Sequence, residues 1–426
     1  MKHVKFIPFV LLVMGVLATV VISCTKDDPP AELSLVSLTS GSVDLNGITS
    51  PNNVPVGETI TATFSTEVDP ASANANISLL RDYDNQTIAS AITVNGKTIT
   101  IKPNADLITG ALHKLSFAAG LKSTKGKTLS PADRTFTTDG FFAPAGQIAY
   151  WNFENNANDI VGTYDPAASD VVAITYVDGR KPSAGKAANF DGDASIIEVP
   201  NGDILITRPD FSMSFWVKTN SAGHNDGATP TPNPTGHFVI GLGAFFGLQF
   251  EIPADYKWCK FAVQYAMGDG TTDTKGDLFF NGDGKTKDNG GWQGTEVRKD
   301  LTTNGGVDGL IKDKWAHIVF TYESSTRRRS MYINGELAQR ENFNLWPAGD
   351  KATTATGIKF NPNPDVGKKM AFGFIKDRSS ALWATEPWGG YTFPGANHFK
   401  GQLDDIRAFS KALTQAEITL MYNSEK

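Results

Sequence analysis

Apolar and polar residues alternate along most of this chain. Thr59-Ile60-Thr61-Ala62-Thr63-Phe64 alternates and is rich in β-branched residues, so it predicts a half-buried strand. Further short strands are expected at Ser34–Leu38, Ile77–Leu80, Ile92–Val94, His113–Phe117 and Arg134–Thr138. Asn95-Gly96 joins two alternating runs from Thr93 to Ile101, a strong hairpin signal. That pattern predicts an Ig-like sandwich over residues 31–140.

The second half carries longer strand signals. Phe211, Met213, Phe215 and Val217 alternate with Ser212, Ser214 and Trp216. Trp315–Tyr322 and Arg329–Leu337 follow, the latter with an Asn334-Gly335 hairpin turn. Thr414 and Glu417 form a capping box that predicts a short final helix. Between Thr219 and Lys314 the pattern weakens. Two glycine- and aspartate-rich segments, 268–277 and 282–290, read as long polar loops on a β scaffold. The fold class expected is all-β, an Ig-like sandwich followed by a second sandwich over residues 146–426.

One segment does not fit this pattern. Lys2 and Lys5 precede an apolar run from Ile7 to Ile22, which ends in Val21-Ile22-Ser23-Cys24. A basic start, a short apolar core and small residues form a secretory signal rather than a fold element. The last four residues resemble the lipobox of bacterial lipoproteins. That resemblance implies cleavage before Cys24, with Cys24 the lipidation site. Residues 1–23 are then a signal peptide, and residues 24–30 a lipidated cysteine and polar tether. The alternative is an ordinary signal peptide or a membrane anchor. The expected location is the outer membrane, lipid-anchored and facing the cell exterior.

Composition permits packed cores, with 40% hydrophobic and 20% charged residues. Loss of Lys2 and Lys5 with the signal takes the formal net charge from −6 to −8. A mildly acidic chain without a basic block excludes nucleic acid as an expected partner. Two cysteines exist, and lipidation of Cys24 leaves Cys259 alone. An intramolecular disulfide is then excluded, as is a zinc site of paired cysteines.

Two resemblances sharpen the picture. Phe64–Pro70, Thr98–Pro103, Leu107, Gly120-Leu121 and Phe136–Thr138 resemble the bacterial Ig-like domain of surface-layer proteins and lipoproteins. Such domains serve as spacers. Tyr150–Glu154, Ala187–Gly192, Phe211–Lys218, Trp315–Tyr322 and Phe399–Ile418 resemble the laminin-G/concanavalin A-like jelly roll. This implies two antiparallel sheets packed face to face, and a lectin-like role. It also implies a structural Ca²⁺, held by hard oxygen ligands. Asp404 is the first candidate, because strand alternation sets it on the face of Ile406 and Ala408, and a carboxylate on an inward face needs a partner. Asp191 and Asp159 are candidate co-ligands. The alternative for each is a turn or backbone hydrogen bond.

Catalytic signatures are missing. The Glu-x-Asp-x-x-Glu stretch of laminarinase-type relatives has no counterpart, and Glu296-Val297-Arg298 keeps only part of a lyase pattern. The expectation is therefore a non-enzyme. Sugar rings present apolar faces that aromatic side chains bind. Trp151, Trp216 and Trp315 lie in family core motifs and read as core. Trp383, Trp388 and Tyr391 cluster among Gly and Pro, which suits a loop. With Trp292 they are the candidate carbohydrate-binding residues; the alternative is that the rings fill a gap between loop and sheet. The function expected is non-catalytic glycan capture at the cell surface, with an outer-membrane uptake complex as partner. The rivals are an adhesion or scaffold module that binds protein, and a divergent glycoside hydrolase or polysaccharide lyase.

Overall fold

The computed structural model describes residues 30–426. The signal peptide, Cys24 and nearly all of the tether lie outside these residues. Two sandwiches follow in chain order. The first pairs a five-stranded sheet with a four-stranded one. The five-stranded sheet runs Val43–Asp44, Leu35–Ser40, Ile60–Phe64, Thr98–Pro103, Ser90–Asn95. The other runs Gln86–Thr87, Ile77–Arg81, Leu112–Phe117, Ala132–Thr137. Every strand pair in both is antiparallel. Period-2 alternation puts Leu38, Phe64, Ile99, Ile101, Leu115, Phe117 and Phe136 into one core.

The two Asn-Gly hairpins differ in detail. Asn334-Gly335 form the two-residue loop between Ile333 and Glu336, both at positive φ, as a type I′ turn requires. In the first domain Asn95 pairs with Thr98, so the loop is Gly96-Lys97 and Gly96 alone takes positive φ. The hairpin holds, but glycine occupies the first central position, as in a type II′ turn.

The second sandwich stacks a nine-stranded sheet on a seven-stranded one. Its first strand, Gln147–Trp151, pairs with its last, Lys400–Phe409. Phe211, Met213, Phe215 and Val217 face the seven-stranded sheet and meet Phe250, Phe261 and Phe320 in the main core. The seven-stranded sheet corrects the expectation of a loop-rich middle. Its strands His237–Leu242, Leu248–Ile252, Cys259–Val263 and Leu278–Phe280 all fall between 219 and 314. His237–Leu242 carries no clean alternation because both its faces are covered, one by the core and one by the 373–398 loop.

The C-terminal helix Gln415–Glu425 opens on the expected capping box, Thr414 with Glu417. It lies on the outer face of the nine-stranded sheet. Tyr422 stacks on Trp216 with ring centroids 5.8 Å apart, and Trp216 donates from Nε1 to Glu425 Oε2 at 2.7 Å. On its other side the helix meets the Ig-like domain. Leu420 and Met421 cluster with Ala111, Phe142, Tyr83 and Ile108, and the Phe142 N–H donates to Ser424 Oγ. The helix is thus a wedge between the two domains.

Beneath it lies a buried charge cluster. Arg180 donates to Asp404 Oδ2 and Asp405 Oδ2, both at 2.7 Å, and to the Glu425 carbonyl. Arg407 pairs with Glu425. The expected face of Asp404 is corrected here. Asp405 sits at φ +46 in a β-bulge, where two residues of this strand oppose Phe215 alone. The bulge resets the alternation, so Asp404 stands opposite Trp216 on the helix side, while Ile406 faces the core. Burial, then the adjacent Asp405, push the Asp404 carboxyl upward against the pull of Arg180.

Removal of Arg180 strands two buried carboxylates. Arg180→Ala should destabilise the protein by roughly 3–5 kcal/mol, with Arg180→Lys in between because it cannot span both acids. Urea unfolding followed by tryptophan fluorescence measures this. A loss under about 1 kcal/mol would mean the cluster does not hold the helix in place.

Candidate functional site

The outer face of the seven-stranded sheet is only partly covered. Its roof is the 373–398 loop, anchored at several points. Glu198 pairs with the Arg378 guanidinium at 2.7 Å, the Phe238 N–H donates to the Asn397 carbonyl, and the Tyr391 hydroxyl donates to the Ala194 carbonyl. Gly241 lets the loop approach: a Cβ there would lie 2.3 Å from Ile375 Cα. Lys376, a buried amine whose affinity for its proton burial lowers, donates to the Ser380 and Leu382 carbonyls.

Beside this roof runs a groove of about 570 Å³. Its floor is built by strand alternation. Leu248, Phe250 and Ile252 face the core, so Gln249 and Glu251 face out; on the next strand Lys260 and Ala262 do the same. Register sets Gln249 opposite Ala262 and Glu251 opposite Lys260. One wall is aromatic. Trp383 lies 4.9 Å from Trp388 and 5.9 Å from Phe245, and Trp388 lies 6.3 Å from Phe238, centroid to centroid. Trp388 is 42% exposed. Trp383 holds φ at +54, a conformation a bulky residue adopts only when its surroundings impose it.

The opposite wall is polar. Lys260 Nζ bridges Glu251 Oε1 at 3.1 Å and Asp277 Oδ2 at 2.8 Å. Burial raises the Glu251 carboxyl, with Lys260 opposing. Burial works against the Lys260 charge, but Glu251 and Asp277 overcome it and raise the ammonium. Gln249 donates to Glu251, while its own carbonyl oxygen is buried at the floor with no protein donor.

The candidate sugar residues are therefore divided. Trp383 and Trp388 line the groove. Tyr391 belongs to the same loop but packs on Phe374 and His398 inside the roof, where it supports rather than lines. Trp292 is 44% exposed but sits edge-on to Trp346 at 5.5 Å, outside the groove. Of the two polar loops, 268–277 supplies Thr274 and Asp277 to the groove, while Asp283 in the other pairs with Arg298 at the edge of the nine-stranded sheet. Trp151 and Trp216 are buried, as expected for core, and Trp315 is half-buried.

The candidate calcium ligands are not brought together. Asp404 is engaged by Arg180. Asp191 Oδ1 accepts the N–H groups of Asp193, Ala194 and Ser195, which close its own turn. Asp159 accepts from the N–H groups of Tyr150, Val161 and Tyr164. Among the described residues no group of three or more His, Cys, Asp or Glu is placed to hold a metal ion. The groove residues Phe238, Phe245, Gln249, Glu251 and Lys260 did not emerge from the sequence pattern. The signal for Gln249, Glu251 and Lys260 was the alternation in Leu248–Ile252 and Cys259–Val263, which places a polar strip on one face of two adjacent strands; Phe238 and Phe245 carried none.

Three histidines pack under the roof. His224 stacks on His237 with centroids 4.3 Å apart and donates to the His398 carbonyl; His398 donates to the Tyr391 carbonyl. Burial lowers His224 to about 4 and His237 and His398 below their usual value.

Comparisons with known proteins follow this architecture. Residues 45–138 match the family model for a bacterial Ig-like domain, and residues 190–365 match that of the concanavalin A-like lectin/glucanases superfamily. The chain is thus all-β, with an Ig-like domain before a concanavalin A-like one. A curated S-layer protein of Geobacillus stearothermophilus is 28% identical over 227 residues, 46% of this chain and 18% of that protein. The chain spans less than a fifth of that relative's length. Among solved structures, domain 4 of the extracellular arabinanase AbnA from Geobacillus stearothermophilus, in complex with arabinotriose, aligns at TM-score 0.37 and 18% identity. It covers 66% of this chain and 100% of that one. The ligand binding domain of botulinum neurotoxin serotype D in complex with N-acetylneuraminic acid aligns at 0.40 and 15%, covering 66% and 51%.

The histidine stack sets a pH dependence. The unfolded chain takes up the His224 proton near pH 6.5, while the folded one resists to about pH 4. Stability is then fully present above 6.5 and lost as pH falls toward 4. The melting temperature should drop from pH 7.5 to pH 5, and drop less in His224→Gln. Equal drops in both proteins would contradict this.

Proposed function

We propose that the chain binds glycans without cleaving them, and that its site is the groove walled by Trp383 and Trp388. The carrying observation is Trp388. A large ring left exposed on a fixed loop, beside a polar floor, suits the stacking of a sugar face with hydroxyls directed at fixed polar groups. The match to a superfamily of lectins and glucanases supports the reading. The Ig-like domain serves as spacer. The lipobox resemblance at Val21–Cys24 supports a lipid anchor, from which the chain would pass glycan to an outer-membrane uptake complex. A structural Ca²⁺ at Asp404, Asp191 or Asp159 is proposed on the resemblance to the concanavalin A-like jelly roll.

A second reading, a glycan-cleaving enzyme, has one observation in its favour. Glu251 and Asp277 share the groove, and hydrolysis uses a carboxylate pair. Lys260 bridges both, so neither is free to act. A protein-binding role would suit a flat apolar face, and this face is grooved and partly charged.

Trp388→Ala should weaken binding of a retained glycan about tenfold, the equivalent of ~1.4 kcal/mol, with the unfolding midpoint unchanged. Trp292→Ala, equally exposed, should leave affinity unaltered. Affinity gel electrophoresis reads both. Unaltered binding by the Trp388 variant would exclude this groove, and release of new reducing ends would favour the enzyme.

A further inference from the structure

The groove does not end at Trp388. A second hollow of about 690 Å³ lies on the far side of the ring, and Trp388 and Asn397 line both. Pro387, Phe393 and Pro394 give it an apolar lining, and Asp226 stands at its rim. Each hollow is of the size of a small-ligand site, roughly 300–1,000 Å³. Both are open depressions, and Trp388 forms a low ridge between them instead of a closing wall. The Trp388 carbonyl accepts from the Asn397 N–H, which fixes the ridge to the returning end of the loop.

The charges along this surface are uneven. Glu251, Asp277 and Asp226 are acidic, and Lys260 is the one base among the lining residues. Lys260 is already held between Glu251 and Asp277. Asp226 accepts from Asn233 and from the Ala228 and Asn233 N–H groups, which keep it ionised. A uronate or sulfate group would meet carboxylates with no spare cation to pair with, and like charges in one site repel. The floor offers instead a buried acceptor. Gln249 is 4% exposed and its carbonyl oxygen has no protein donor. A sugar hydroxyl can supply the missing hydrogen bond.

We infer that the site takes an uncharged polysaccharide, bound along its length across both hollows, with Trp388 as the central stacking platform. This rests on the glycan-binding reading and adds charge class and length to it. The test uses the full-length chain in affinity gels containing uncharged polysaccharides (galactomannan, xyloglucan, mixed-linkage β-glucan) or anionic ones (polygalacturonate, alginate). Calorimetry with oligomers of the best-retained glycan then reads length.

Retention by at least one uncharged glycan and by neither anionic one is expected. Affinity should rise at least tenfold from disaccharide to hexasaccharide, and Gln249→Leu should lower it severalfold. Preferential retention by an anionic glycan, abolished in Trp388→Ala, would overturn the inference and leave the glycan-binding site standing. A disaccharide bound as tightly as the hexasaccharide would overturn the two-hollow account alone. Retention by no glycan in the panel would overturn the inference together with the reading it rests on.

Discussion

Face-to-face packing of two sheets governs this molecule. A sheet has two sides, and a sandwich buries one side of each. Apolar alternation settles the inner faces, where Phe215, Phe250, Phe261 and Phe320 meet. The outer faces remain, and the chain treats them in opposite ways. The C-terminal helix and the Ig-like domain cover much of the nine-stranded face. Covering it buries polar residues that alternation had turned outward, so Ser214 pairs with His317, Trp216 with Glu425, and Arg180 with the two aspartates. The seven-stranded face is roofed over part of its width, and the uncovered part is the groove.

This asymmetry orients the protein. The helix wedge ties the Ig-like domain to the back of the second sandwich through Leu420, Met421 and Phe142. The groove lies on the other sheet, so the Ig-like domain and the groove are on opposed faces of the second sandwich. The same construction places demands on the 373–398 loop. It must lie close on the sheet, which Gly241 permits, and it must hold Trp388 out of the core, which Tyr391, His398 and Arg378 accomplish beneath and beside it.

Much of this was legible in the sequence. Regular alternation marked the Ig-like strands, the Phe211–Thr219 strand and the capping box of the last helix, because each is decided by local pattern. Trp383 and Trp388 stood out as large rings among Gly and Pro. Other features depend on distant chain segments. The His237–Leu242 strand lost its alternation because a loop more than 130 residues later covers its outer face. The side of Asp404 was misread because one bulge residue, Asp405, reverses the alternation. Trp292 looked equivalent to Trp388 by type and setting, and only the tertiary structure separates the two. The polar floor was not read from the sequence, because the stretch between 219 and 314 reads as loop-rich and the adjacency of its two floor strands is set only by the fold.

Glycan is proposed to bind the open face of the seven-stranded sheet. Hydroxyl-radical footprinting of the protein with and without a saturating glycan tests it most directly. Protection is predicted at Trp388 and Trp383, with Trp292 reacting equally in both states. Protection confined to Trp292, or to the outer face of the nine-stranded sheet, would contradict this reading.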